Sequence, residues 1–382
     1  MEIIKQNYLS KLNINQKEAI INLEGPCLIV AGAGSGKTKV LTTRVVHIIK
    51  QKKAWPNQIL CVTFTNKAAK EMQNRIAGFL KEKTSSLPWL GTFHSVSAKI
   101  LRRHAESVGL NSRFTIIDQE DQLRLIKNIC KAENIDVKKI APKYILSIID
   151  RWKNKGYYPD NVKINKKDIY EKIILPIYKI YQQKLIDLNS CDFGDLILHC
   201  VNILEENKDI CEIYNKNFKY ILVDEYQDTN PVQYQLLRAL VTSDHSITVV
   251  GDDDQSIYRW RGADIGNILR FEQDFPGAEV IRLERNYRST QVILEAANAL
   301  ISHNAARKGK TLYTDEGRGD LMTLRIYPNE RDEAEAIAEH IDRESDAFEV
   351  EDGEFGVLYR TNAQSRPIED ALRRRSIGYE IY

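Results

Sequence analysis

The chain has 382 residues, 43% hydrophobic and 28% charged, more than one compact core usually holds and too apolar for global disorder. A single small domain is therefore excluded, and two or three globular domains are expected. The net charge of +2 hides a division: residues 1–220 carry 29 Lys and 7 Arg against 22 acids, a balance of +14, whereas residues 221–382 carry 2 Lys and 17 Arg against 31 acids, a balance of −12.

A basic first half suits contact with a polyanion such as nucleic acid. The apolar runs fall far short of a membrane-spanning helix. The opening MEIIKQNYLSKLNINQ lacks the apolar segment of a secretory signal, so a cytoplasmic, membrane-free location is the expectation. The six cysteines form no CxxC pair, which argues against a zinc site or a disulfide framework.

Along the chain, short apolar runs alternate with amphipathic helical stretches. CLIVA (27–31) precedes a helix near 37–50, and ILCVTF (59–64) precedes one near 66–80, the pattern of βαβ units on a parallel sheet. From 111 to 190 strand runs nearly vanish and Lys, Ile and Tyr dominate, broken by Pro142, Pro159 and Pro176. This predicts a helical insertion. Strand runs return at YILVDE (220–225) and ITVVGD (247–252), and a further series at VIRLE (280–284), LMTLRIY (321–327) and FGVLY (355–359) predicts a second α/β unit beginning near 279. The expected layout is residues 1–110 and 191–278 as one α/β domain, 111–190 inserted into it, and 279–382 as the start of a second.

Three segments carry chemistry. AGAGSGKT (31–38) joins a strand to a helix, the setting in which backbone N–H groups and a helix N-terminus cradle phosphates. Lys37 is expected to reach the β and γ phosphates, and Thr38 to hold Mg²⁺. Asp224 and Glu225 end an apolar run, where ligands of open α/β sheets collect; one can hold Mg²⁺ while the other activates water. With the phosphate loop they specify phosphoryl transfer. GDDDQSIYRWRGA (251–263) sets Gln255, Tyr258, Trp260 and Arg261 close together, a composition suited to stacking on bases.

LNINQ (12–16), AGAGSGKT, FTNKAAKEM (64–72), GTFHS (91–95), DEYQDTN (224–230), GDDDQSIYRWRGA, LERNYRST (283–290) and VLYRTNAQSR (357–366) occur in the order seen in superfamily 1 DNA helicases of the UvrD, PcrA and Rep group, which the chain resembles from end to end. The resemblance implies a RecA-like P-loop domain with a parallel sheet and a helical insertion, followed by the first half of a second RecA-like domain. It also implies an ATP- and Mg²⁺-dependent 3′–5′ helicase acting on single-stranded and 3′-tailed duplex DNA, in company with repair or replication proteins.

Carried over position by position, Gln16 resembles the adenine-reading glutamine. Ala33, Gly34, Ser35, Gly36, Lys37, Thr38 and Lys39 resemble the phosphate loop. Asp224 is similar to the Mg²⁺ ligand, Glu225 to the general base and Gln255 to the γ-phosphate sensor. Tyr287 resembles the residue stacked on adenine, and Arg288 the arginine that stabilises transition-state charge. Phe64, Tyr258 and Trp260 resemble base-stacking aromatics, and Thr92, His94 and Arg261 neighbouring DNA contacts. In DFGDLI (192–197), Gly194 stands where relatives often carry an acid. The VHASKGLEF-like and ALTRA-like blocks of the family are not in this sequence, so it reads as the N-terminal part of a helicase. By itself such a part is expected to bind ATP and DNA, to hydrolyse slowly, and to need a chain that supplies the missing motifs. Two other readings are an AddA- or RecB-type helicase–nuclease subunit, against which GDDDQSIYRWRGAD favours the UvrD group, and a nucleotide-dependent DNA-binding half.

Overall fold

The computed structural model describes residues 7–80, 87–164, 168–242, 245–304, 307–348 and 355–381. Its contacts divide the chain into two units, 1–319 and 320–382.

The first unit is built on six strands: β1 (Cys27–Ala31), β2 (Ile59–Thr63), β3 (Leu90–Thr92), β4 (Tyr220–Val223), β5 (Ser246–Gly251) and β6 (Glu279–Leu283). They lie in the order β3-β2-β4-β5-β1-β6, each pair parallel. Every residue of β1, β2, β4 and β5 is buried, as continuous apolar runs in a sheet covered on both faces should be. Alternate side chains enter two cores. Leu28, Val30, Val62 and Val223 pack with Phe93, Leu236 and Phe271 on one face. Ile29, Ala31, Cys61 and Leu222 pack with Ala19, Ile20, Val40, Leu41 and Val45 on the other. The second group comes from α1 (Ile14–Ile21) and α2 (Lys37–Lys50). This is the parallel, RecA-like sheet expected from the sequence.

The run at 280–284, expected to open a second unit, is instead the edge of this first sheet. Its register against β1 pairs Ile29 with Ile281 and Ala31 with Leu283, and both partners are buried while Arg282 is exposed. One-sided burial beside β1 decides its place. The runs 321–327 and 355–359 carry no strand pairing among the described residues. A strand needs a partner backbone as well as an apolar pattern, and here Leu321, Leu324, Ile326 and Leu358 are exposed.

Helices α3 (Asn66–Leu80) and α4 (Phe93–Arg103) follow β2 and β3. Next come α5 (Gln119–Ala132), α6 (Pro142–Asn154) and α7 (Ile169–Asp187), which share a core of Ile126, Ile149, Trp152, Ile174, Tyr178 and Tyr181. Pro176 lies within α7 rather than ending it.

A buried charge cluster fastens α6 and α7 to α8 (Phe193–Glu206). Lys153 Nζ lies 2.6 Å from Asp192 Oδ2 and 2.7 Å from Asp195 Oδ1, with all three side chains at most 1% exposed. Tyr181 Oη donates to Asp192 (2.9 Å) and Gln182 Nε2 to Asp195 (3.0 Å). The same carboxylates form the capping box of α8. A Cβ at Gly194 would sit 3.0 Å from Lys153 Cδ, so this position faces the cluster and a side chain there would press on Lys153.

In the second unit, the helices Glu330–Phe348 and Ser365–Arg374 bury Ala334, Ala338, Ile341, Ala371 and Leu372. Arg374 and Arg375 both pair with Glu335.

Removing Lys153 strands two carboxylates in a dry interior, a defect that costs about 3–5 kcal/mol. Lys153→Met should lower the urea midpoint of the first unit accordingly, as followed by circular dichroism. A change under about 1 kcal/mol would mean that water reaches the cluster.

Candidate functional site

β1, β4 and β5 are neighbours, so their C-terminal ends open onto one crevice, where open α/β sheets bind ligands. Between Ala31 and Lys37 the chain passes through Gly34 (φ 68°) and Gly36 (φ 89°), a left-handed region that only glycine visits cheaply. Gly34 is also hemmed in: a Cβ there would lie 2.5 Å from Asn286 Nδ2 and 2.8 Å from Arg288 Cβ. Ser35 is buried, its hydroxyl donating to the Gly32 carbonyl (2.8 Å), and the Ala33 carbonyl accepts from Asn286 Nδ2 (2.7 Å). No side chain caps α2, which leaves its first N–H groups for an anion. Lys37 opens the helix and Thr38 follows. Lys39 is exposed and donates to the Lys11 carbonyl (3.4 Å).

Residues far apart in sequence meet beside this loop. Gln16 is buried, and its Nε2 donates to the Ser35 carbonyl (2.9 Å). Asn13 caps α1 in a reciprocal box with Gln16, and its Nδ2 donates to Tyr287 Oη (2.7 Å). The Tyr287 N–H donates to the Gly34 carbonyl (3.0 Å). The N–H of Arg288 donates to Asn286 Oδ1 (2.7 Å), and its side chain is exposed.

Across the crevice, Lys37 Nζ lies 3.3 Å from Glu225 Oε2 and is buried without a hydrogen-bond acceptor. Glu225 sits in the left-handed region (φ 48°, ψ 48°), a conformation that costs a non-glycine residue free energy and concentrates at functional sites. Its N–H donates to Asp224 Oδ1 (3.1 Å). Burial, reinforced by Glu225 and only partly offset by Lys37, pushes the Asp224 carboxyl up to about 7. Gln227 joins the pieces: its Nε2 donates to Glu225 Oε2 (2.8 Å), and its Oε1 accepts from the Asp252 N–H (2.9 Å). Asp252 in turn accepts from Gln255 Nε2.

Phe64 and Tyr258 stand with ring centroids 5.1 Å apart. Arg261 lies over both Tyr258 (5.3 Å) and Trp260 (4.7 Å), and Trp260 is 74% exposed. A large aromatic left in water and backed by a guanidinium has the composition that stacking on bases requires. The other two expected contacts are engaged locally. Thr92 caps α4 by accepting from the Ser95 N–H (3.2 Å). His94, whose pKa burial lowers, packs edge-on against Phe193 at 6.2 Å.

Residues 12–276 match the UvrD/REP helicase N-terminal domain, and residues 281–382 the UvrD-like helicase C-terminal domain. The chain belongs to the UvrD/REP helicase family. It is 45% identical over 379 residues to a probable DNA helicase II homolog of Rickettsia conorii, covering 98% of this chain and 58% of that one. It is 43% identical over 381 residues to the ATP-dependent DNA helicase PcrA of Bacillus subtilis, covering 100% and 51%. PcrA of Staphylococcus epidermidis is 44% identical over 373 residues, covering 98% and 51%. The chain thus spans between half and three-fifths of the length of these curated relatives. No helix among the described residues is long and apolar enough to cross a membrane.

Sequence reasoning missed Asn13, Gln227 and Asn286. Each lies inside or beside a motif block, but their bonds span distances that no local pattern records.

The raised Asp224 carboxyl makes the stability of the first unit depend on pH. An unfolded Asp titrates near about 3.9, so between roughly pH 4 and pH 7 the folded state holds the extra proton and stability falls as pH rises. Asp224→Asn keeps the oxygen that accepts from Glu225 and removes the ionisation. Without nucleotide, it should therefore be more stable than wild type by about 2–4 kcal/mol at pH 8 and by little at pH 4.5. Equal denaturation midpoints for the two proteins at both pH values would contradict a raised Asp224.

Proposed function

We propose that the chain is the N-terminal part of a DNA helicase that couples Mg·ATP hydrolysis to 3′–5′ movement on single-stranded DNA and to opening of 3′-tailed duplexes. The observation that carries this reading is Lys37: a buried ammonium with no hydrogen-bond acceptor, 3.3 Å from Glu225, behind a loop shaped for phosphates. The direction of movement rests on the family resemblance.

In this reading the uncapped start of α2 and the amides of Ala33 to Lys39 cradle the phosphates of ATP, and Lys37 exchanges Glu225 for the β and γ oxygens. That exchange frees the Glu225 carboxylate to accept the proton of the attacking water. Thr38 and Asp224 would hold Mg²⁺, whose charge offsets that gathering on the β and γ oxygens; Asp224 must then give up its proton. Gln16, already bonded to the loop, and Tyr287 bracket the adenine. Arg288, exposed beside Gly34, is the arginine that meets transition-state charge in this reading. Gln255 faces the γ-phosphate and stands three residues before Tyr258, so its movement passes along the backbone to the platform of Phe64, Tyr258, Trp260 and Arg261. Thr92, in register with Thr63 next to Phe64, and His94 two residues on are the neighbouring DNA contacts in this reading.

Two substitutions test the halves of this reading. Lys37→Ala should weaken Mg·ATP binding or turnover at least tenfold with unchanged circular dichroism, because the charge facing the phosphates is lost; a wild-type nucleotide titration would rule the site out. Trp260→Ala should weaken single-strand binding by about 1–3 kcal/mol and leave the salt dependence in place, since Lys and Arg still meet the phosphates. Unchanged affinity would mean that DNA lies elsewhere.

A further inference from the structure

The carboxylates of Asp252, Asp253 and Asp254 are grouped closely enough to hold a metal ion, but a protein cation stands among them. Lys310 Nζ lies 2.5 Å from Asp252, 3.3 Å from Asp253 and 2.5 Å from Asp254, and its side chain is 3% exposed. Arg307 forks onto both oxygens of Asp254 (3.0 and 2.7 Å), and the Lys308 N–H donates to Asp253 Oδ2 (2.6 Å). Burial alone would lower the Lys310 pKa, and the three aspartates more than reverse it.

Residues 307–314 form a strap along the C-terminal edge of the sheet. Beyond Lys310, the Thr311 N–H donates to Glu284 (2.9 Å), and Leu312 packs directly over Gly32 of the phosphate loop. Tyr313 and Thr314 pair in parallel with Arg285 and Asn286. The strap therefore touches both the loop that holds phosphates and the turn that carries Gln255.

We propose that Lys310, seconded by Arg307, is a positioning residue that sets Gln255 and makes the base-stacking turn respond to nucleotide. The geometry is a relay. Lys310 fixes one oxygen of Asp252, and the other accepts from Gln255 Nε2. The Asp252 N–H is held by Gln227, which is bonded to Glu225, the partner of Lys37. A continuous line of polar contacts thus runs from Lys37 to Lys310, and Gln255 hangs from its penultimate member. Lys310 supplies no group to the phosphates. Its contribution is to hold the Asp252 carboxylate in place by a direct bond; without that bond the carboxylate, and the turn 253–262 with it, can swing even when the summed charge of the cluster is kept. This rests on the reading of Gln255 as the residue facing the γ-phosphate.

The test uses the 382-residue chain in three forms: wild type, Lys310→Met, and Lys310→Met/Asp253→Asn. The double variant keeps the summed charge of the cluster unchanged and so guards against simple misfolding. Hydrogen exchange over 252–262, without nucleotide, should be at least tenfold faster in both variants, while the core strands β1 and β4 keep wild-type protection. The shift in affinity for a fluorescent oligothymidylate on adding a Mg-bound non-hydrolysable ATP analogue should shrink at least fivefold, with affinity for the analogue itself within threefold of wild type. Wild-type exchange in the double variant overturns the positioning role. Faster exchange with an intact DNA-affinity shift overturns its link to the nucleotide. If the wild-type chain binds neither analogue nor oligonucleotide, the functional reading and this link fall together, and the exchange result still decides whether Lys310 holds the turn.

Discussion

A buried ammonium without a hydrogen-bond acceptor is the constraint around which this molecule is arranged. Lys37 has left water, and among the described residues it faces Glu225 at 3.3 Å. An ion withdrawn from solvent is tolerated only where charge or a ligand compensates. Here the compensation is partial: a left-handed Glu225 in a strained backbone, and beside it an Asp224 held protonated toward neutral pH. A polyanion with its own metal ion would satisfy all three groups together, bonding Lys37, releasing Glu225 and ionising Asp224.

That arrangement depends on strand order more than on any one residue. β5 lies between β1 and β4, so Gly251 and Asp252 emerge between the phosphate loop and the acidic pair. Gln227 can then reach Glu225 with one end of its amide and Asp252 with the other. β6 continues the sheet beyond β1 and brings Asn286, Tyr287 and Arg288 onto the phosphate loop at distances that admit only glycine at position 34. Tyr258, Trp260 and Arg261 follow directly after the turn that holds Gln255, so in the proposed reading the nucleotide and DNA sites would share one short stretch of backbone.

Much of this arrangement is legible in the sequence. AGAGSGKT stands out as a candidate phosphate loop because Gly, Lys and Thr at that spacing suit backbone approach and phosphate charge, and Asp224 and Glu225 as candidates because a strand of continuous apolar residues ends in two acids. The aromatic and Arg sequence at 258–261 has the composition of a stacking surface, and the fold leaves Trp260 in water. Three things were not legible. The run at 280–284 carries a strand signal, but only its burial against β1 assigns it to the first sheet. LMTLRIY has the same local signal and no paired backbone among the described residues, and its apolar side chains stay exposed. Asn286, Gln227 and Lys310 act through bonds to residues that the fold brings near, and one Asn, Gln or Lys among many has no local pattern to mark it. Gly194, odd as a sequence letter, gains its explanation from the adjacent Lys153.

In the proposed function, Asp224 gives up its proton when Mg²⁺ and nucleotide enter. Titration calorimetry at pH 6.5, with a Mg-bound non-hydrolysable ATP analogue and buffers of differing ionisation enthalpy, counts that proton. Wild type should release between about half a proton and one more than Asp224→Asn does, as a group titrating near 7 requires. Binding with identical proton release in the two proteins, or no binding by wild type at all, would contradict it.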